Sequence, residues 1–323
     1  MLAAMPAAPR ESTLHHTVRG RSGPAVVLLH GLGSSGADWP RQQAALETRY
    51  RVVAVDLPGH GASRLPAGPL TVDGMAADVG ALLAALADEP AHMVGLSLGA
   101  CVALRLALGA PARVRSLTLV NPFARLRLAG PGDLARVALR TLLLGTAPMS
   151  MVAAHVARRL FPWPEQRALY EAAVASLAAT PRAAYFAGMR ALARFDARGQ
   201  VAAIRQPTLI VAGDRDTSVP LAPKLALAAA IPRAQLLVVP GSGHATPHDR
   251  PDVFNRALLE FLATHCVGGP DMAPHAPPIA RTAPAKPGRS SMTRLGLGSP
   301  DRPGKAGAVL DDAIRSRTPR AAA

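Results

Sequence analysis

Aromatic side chains are scarce in this 323-residue chain, at 3% of positions, although hydrophobic residues make up 49%. A buried core must therefore be built from Ala, Val and Leu. Lysine is scarcer still, confined to Lys224, Lys286 and Lys305, so the net charge of +15 is almost entirely arginine. Such a charge raises nucleic acid or an anionic membrane surface as partners. The arginine bias, in a chain also rich in Ala, Gly and Pro, fits a GC-rich genome as readily as a selected surface. No recognisable nucleic-acid motif accompanies it, so no nucleic-acid partner is expected. Cys101 and Cys266 are the two cysteines, far apart and without a C-x-x-C pair. They offer neither a disulfide framework nor a metal site, and a reducing cytoplasm is the simplest setting. No run approaches the about 18 uncharged apolar residues of a membrane span, and MLAAMPAAPRESTLHH lacks a basic leader followed by a sustained apolar stretch. A soluble protein without a transmembrane segment is expected, of undetermined oligomeric state.

What is present is a rhythm. Short apolar, β-branched runs at 25–29, 51–55, 91–96, 114–120, 208–212 and 235–239 alternate with helical patterns at about 38–47, 72–86, 98–108, 221–230 and 252–262. That alternation predicts βα units around a mostly parallel sheet flanked by helices. Residues 13–18 could add an early edge strand, after a flexible N-terminus over 1–12. Between 123 and 200 the rhythm breaks, with helix-like stretches such as 134–144 and 165–178 and no convincing parallel strand. Pro148, Pro162, Pro164 and Pro181 divide that segment into a few inserted helices. The core is then 13–122 with 201–265. From 266 onward Pro, Gly, Ser and Arg dominate, which predicts a disordered tail over 266–323.

Chemistry concentrates where predicted strands end. Gly95-Leu96-Ser97-Leu98-Gly99 follows one strand and opens a helix, the context of a nucleophile elbow, whose sharp turn exposes a strained serine. Alone it reads equally as a glycine-rich turn with a helix-capping serine. His30-Gly31-Leu32-Gly33 follows an earlier strand, where a second oxyanion donor belongs, and alone is equally a strand-ending turn. The backbone N–H groups of Leu32 and Leu98 are the candidate oxyanion-hole pair, since fixed donors need not reorganise as charge develops. A serine hydroxyl also needs a base and an orienting carboxylate. His244, in Pro240-Gly241-Ser242-Gly243-His244 after the last strand, is the candidate base, with His248 as competitor and His60 read as part of a structural loop. Asp216, in Gly213-Asp214-Arg215-Asp216 after the strand at 208–212, is the candidate acid, and Asp214 is read as a turn residue that caps backbone N–H groups or pairs with Arg215. The order Ser97, Asp216, His244 matches one serine-hydrolase architecture and differs from the others.

Together with Asp56-Leu57-Pro58-Gly59-His60-Gly61-Ala62-Ser63, these motifs resemble the bacterial α/β-hydrolases that include pimeloyl-ACP methyl ester esterases and 3-oxoadipate enol-lactone hydrolases. The resemblance spans about residues 13–264. It implies a sheet of up to eight strands, a helical cap over 123–200, and catalytic residues Ser97, Asp216 and His244. Haloalkane dehalogenases and epoxide hydrolases of the superfamily carry aspartate where Ser97 stands, so an alkyl-enzyme mechanism is not expected. The activity expected is cleavage of a small-molecule carboxylic ester, lactone or thioester through an acyl-enzyme, with no metal or organic cofactor. Hydrolysis of a C–C bond, perhydrolysis and acyl transfer remain alternatives on the same triad, and a non-catalytic binding module is the reading furthest from it. Cys101, one turn beyond Ser97, is read as core. Arg136, Arg140, Arg158 and Arg159 are read as solvated helix faces rather than as an anion or lipid site.

Overall fold

The computed structural model describes residues 14–86, 89–126 and 130–266. Seven strands form one sheet: β1 (His16–Arg19), β2 (Ala25–Leu29), β3 (Arg51–Val55), β4 (Ala91–Leu96), β5 (Val114–Val120), β6 (Thr208–Gly213) and β7 (Ala234–Val239), in the order β1-β3-β2-β4-β5-β6-β7. Every pairing is parallel except that of β1 with β3. The pattern follows from composition. Every residue of β2, β4 and β6 is buried, as expected where helices cover both faces of a parallel sheet. β1 is polar and mostly exposed, fit only for an edge. Its register, His16 opposite Val55 and Arg19 opposite Val52, starts it three residues later than residue 13.

Ten α-helices accompany the strands among the described residues. They are α1 (Pro40–Leu46), α2 (Val72–Leu86), α3 (Leu98–Gly109), α4 (Pro131–Thr146), α5 (Met149–Leu160), α6 (Arg167–Ala179), α7 (Arg182–Arg194), α8 (Leu221–Ala230), α9 (Thr246–Asp249) and α10 (Pro251–Thr264). The helix expected from residue 38 begins at Pro40 instead. Ser35 caps a 3₁₀ turn over Gly36–Asp38, and Asp38 returns a hydrogen bond from the Ser35 N–H. This reciprocal pair completes one short turn, and Pro40, with no N–H to satisfy, opens the next. Helices α4 to α7 all lie between β5 and β6. Pro148 and Pro181 cap α5 and α7, and Pro164 opens the 3₁₀ turn before α6, so the prolines mark starts where the missing N–H costs nothing.

Alternate side chains of β2 divide between two cores. Val27 and Leu29 join Val79, Leu104 and Leu227 from α2, α3 and α8. Val26 and Leu28 face the other way, toward Trp39, Phe254, Leu258 and Phe261 beside α1 and on α10. The first core is dominated by Ala, Val and Leu, as composition demands. The second gathers four of the few aromatic residues, including Tyr50. A third, smaller cluster of Leu144, Val152, Ala157, Leu177 and Tyr185 holds α4 to α7 together. No helix among the described residues is long and apolar enough to cross a membrane. The segments 1–12 and 267–323, expected to be flexible or disordered, lie outside the described residues.

Candidate active site

Ser97 stands between β4 and α3 with φ 52° and ψ −105°. Only Ser97 and Asn121 among the described non-glycine residues have positive φ. Such a conformation costs about 1–3 kcal/mol and persists only where its surroundings enforce it. They do so here through close backbone approach. A Cβ at Gly95 would lie 2.4 Å from the Gly99 carbonyl carbon, and one at Gly99 would lie 2.1 Å from the Leu29 oxygen. The two outer glycines of the motif are thus steric requirements of the turn. Ser97 N–H donates to the Val120 carbonyl (3.0 Å), and Gly99 N–H to that of His30 (3.0 Å), tying the turn to β5 and β2. Cys101 is fully buried in the core beneath, where burial pushes its thiol pKa up.

His244 follows β7, and its Nδ1 lies 2.8 Å from Asp216 Oδ2. Asp216 is buried in the loop after β6, where its Oδ1 accepts the N–H groups of Ser218 (2.7 Å) and Val219 (3.0 Å). Asp214 is exposed and accepts the Gly241 N–H (2.7 Å), the turn role expected of it. Arg215 lies over the Trp163 ring rather than pairing with Asp214. His248 lies in α9 near Trp39 and has no such carboxylate hydrogen bond among the described residues. His30 and His60 are buried in contact with each other. His30 Nδ1 donates to the Gly31 carbonyl (2.7 Å) and Nε2 accepts the Leu57 N–H (2.9 Å). It anchors the turn that presents Gly31, Leu32 and Gly33. Burial, reinforced by His60, pulls its pKa to about 4, so it is neutral near pH 7.

Two further residues complete this cluster, and the sequence reading gave neither of them a role in it. Lys224 on α8 is fully buried, with Nζ 2.7 Å from Asp216 Oδ2 and 2.6 Å from Asn121 Oδ1. Asn121, at the end of β5, also accepts the Gly213 N–H (2.9 Å) and donates to the His244 carbonyl (2.7 Å). It therefore links three strand ends. Burial alone would raise the Asp216 pKa, but His244 and Lys224 outweigh it and hold the carboxyl well below the usual range. A signal for Lys224 existed. It is the single lysine in 14–266, in a chain that otherwise uses arginine. A compact ammonium fits a fully enclosed site where a guanidinium's five donors would go unsatisfied.

Ser97 and His244 line one cavity of about 430 Å³, with Leu32 beside them and Arg140, Arg159 and Leu177 from the inserted helices across it. Leu98 is the first residue of α3 and its side chain is fully buried. Its N–H, in the first helical turn, has no acceptor within the helix. Among the described residues no group of three or more His, Cys, Asp or Glu side chains could hold a metal ion.

A family model for the α/β hydrolase fold matches residues 24–251. The chain belongs to that family. This α/β hydrolase is 34% identical over 260 residues to a protein of Azorhizobium caulinodans named "Putative carbamate hydrolase RutD", covering 78% of this chain and 95% of the relative. A protein of the same name from Variovorax paradoxus is 38% identical over 262 residues, covering 77% and 96%. Among solved structures, the enol-lactonase of Burkholderia xenovorans superposes with a TM-score of 0.72 at 27% identity, over 77% of this chain and 96% of that one. The seven strands seen fall within the sheet of up to eight that the resemblance implied.

Proposed function

We propose that this hydrolase cleaves a carboxylic ester, lactone or thioester through an acyl-enzyme formed on Ser97. The reading rests on the His244–Asp216 pair opening onto the same cavity as a serine held at positive φ. Ser97 Oγ attacks the carbonyl carbon while His244 Nε2 takes its proton. With Nδ1 directed at Asp216, Nε2 is the nitrogen free to accept. Asp216, kept ionised, stabilises the imidazolium that forms. The N–H groups of Leu32 and Leu98 receive the oxyanion. His244 then protonates the leaving alkoxide and activates the water that releases the acid. No step requires a cofactor. A fluorophosphonate should label the wild-type protein at Ser97 and leave Ser97→Ala unlabelled. Labelling of Ser97→Ala at the wild-type rate would move the nucleophile elsewhere, and no labelling of either protein would favour a binding module.

The relatives support a second reading in which the same groups attack a carbamate ester, expel its alcohol and leave a carbamoyl-enzyme that water releases as a carbamic acid, the precursor of an amine and carbon dioxide. Turnover of an N-alkyl carbamate faster than of the ester of the same alcohol would favour it.

A further inference from the structure

We propose that the cavity binds a substrate carrying a carboxylate remote from its scissile carbonyl, held by Arg140 and Arg159. This rests on the hydrolase reading above and names the substrate class of that site. Sequence periodicity treats the arginines of the inserted helices as solvated, but they divide in the structure. Arg136 and Arg140, one turn apart on α4, and Arg159, at the end of α5, line the cavity, whereas Arg158 is exposed and does not. Two carboxylates share the lining. Asp133 pairs with Arg136. Asp38 accepts from the hydroxyls of Ser34 and Ser176 and from the Ser35 N–H.

Arg140 and Arg159 are left with no salt-bridge partner among the described residues. Arg140 Nε is buried without a hydrogen-bond partner there, and the neighbour of the guanidinium is the neutral Tyr185 hydroxyl. Arg159 donates through one nitrogen to the Thr217 carbonyl (2.9 Å), the residue after Asp216, which places it where the inserted helices meet the candidate acid. His155 reports the same positive field, its pKa lowered by burial and then by Arg140 and Arg159. Planar guanidiniums facing a largely apolar cavity match a carboxylate bidentately, and the attraction is strongest where water is excluded. Among the described lining residues, three arginines against two aspartates leave one positive charge in excess, which suits a monoanion. The volume of about 430 Å³ leaves room for an apolar spacer between that anion and the carbonyl.

The test compares mono-p-nitrophenyl glutarate with uncharged p-nitrophenyl pentanoate. The wild type should favour the half-ester by tenfold or more in kcat/KM. Arg140→Gln and Arg159→Gln should each lower that ratio about tenfold, and exposed Arg158→Gln should leave it unchanged. Calorimetric titration of Ser97→Ala with monomethyl glutarate gives a readout independent of turnover, and the arginine substitutions in that background should weaken binding similarly. A wild type with no preference, or a ratio indifferent to both substitutions in protein still labelled at Ser97, overturns the carboxylate site and leaves the hydrolase reading standing. Binding of monomethyl glutarate that depends on Arg140 and Arg159, in protein that no fluorophosphonate labels, does the reverse.

Discussion

Lys224 carries its charge where its side chain meets no solvent, and that makes it inseparable from Asp216. Removing one member of a buried ion pair costs about 3–5 kcal/mol because the other charge is left uncompensated. Asp216→Asn should therefore have two effects. Turnover should fall by up to ~10⁴-fold, as when a triad acid is lost, and stability should fall as well. Asp214→Asn, which keeps an oxygen to accept the Gly241 N–H and removes only the charge at an exposed turn, should cost no more than about 1 kcal/mol and keep turnover. Lys224→Met isolates the cation. Alone it should destabilise the protein, and combined with Asp216→Asn it should restore part of the stability that Asp216→Asn loses. Urea unfolding of the two single variants and the double would test this, with additive losses showing that the charges are not coupled. In sequence the pair is eight residues apart across a loop and a helix start. Only the folding of α8 against that loop brings the two groups together, which is why spacing did not reveal them.

At the scale of elements, the legible parts were those whose burial is nearly complete. β2, β4 and β6 are short apolar runs because helices cover both their faces, and their limits were readable to within a residue. The turn that carries Ser97 was legible because its glycines answer a local steric need. Gly99→Ala should therefore be far worse than an ordinary glycine-to-alanine change in a helix, which usually stabilises. The added methyl would press on the Leu29 carbonyl, so α3 must shift and carry Ser97 with it. The expected result is lost fluorophosphonate labelling with a lowered melting temperature, and unchanged labelling would show that the turn yields cheaply. The inserted helices were harder to read. α4 buries only Leu144 while Leu134, Leu139 and Leu142 stay exposed, so its apolar residues do not trace a core-facing stripe. Its cavity face carries arginines, which in sequence look like a solvated surface.

For the whole molecule, acid should be the stress that exposes buried histidines. His30 and His92 are both held near pKa about 4 chiefly by burial, against about 6.5 in an unfolded chain. Between those values the unfolded state binds the protons and the folded state does not, so stability falls as pH drops from about 6.5 to about 4. Each histidine contributes a slope of up to about 1.4 kcal/mol per pH unit in that window. Asp216, with its lowered pKa, retains its contribution there and loses it only as pH falls further, through its folded value. Urea midpoints at pH 7, 5.5 and 4.5 should decline steadily, and a flat profile down to pH 4.5 would show that neither histidine stays neutral in the fold. The direction of the strands has a practical consequence for handling the protein. β4, β6 and β7 run parallel and deliver Ser97, Asp216 and His244 from their C-terminal ends, so the turns entering the strands lie at the far edge. The exposed 3₁₀ turn over Pro111–Arg113, leading into β5, is one of them. An attachment chemistry directed to Ala112 would tether the molecule to a solid support with the strand ends that carry Ser97 and His244 turned away from it.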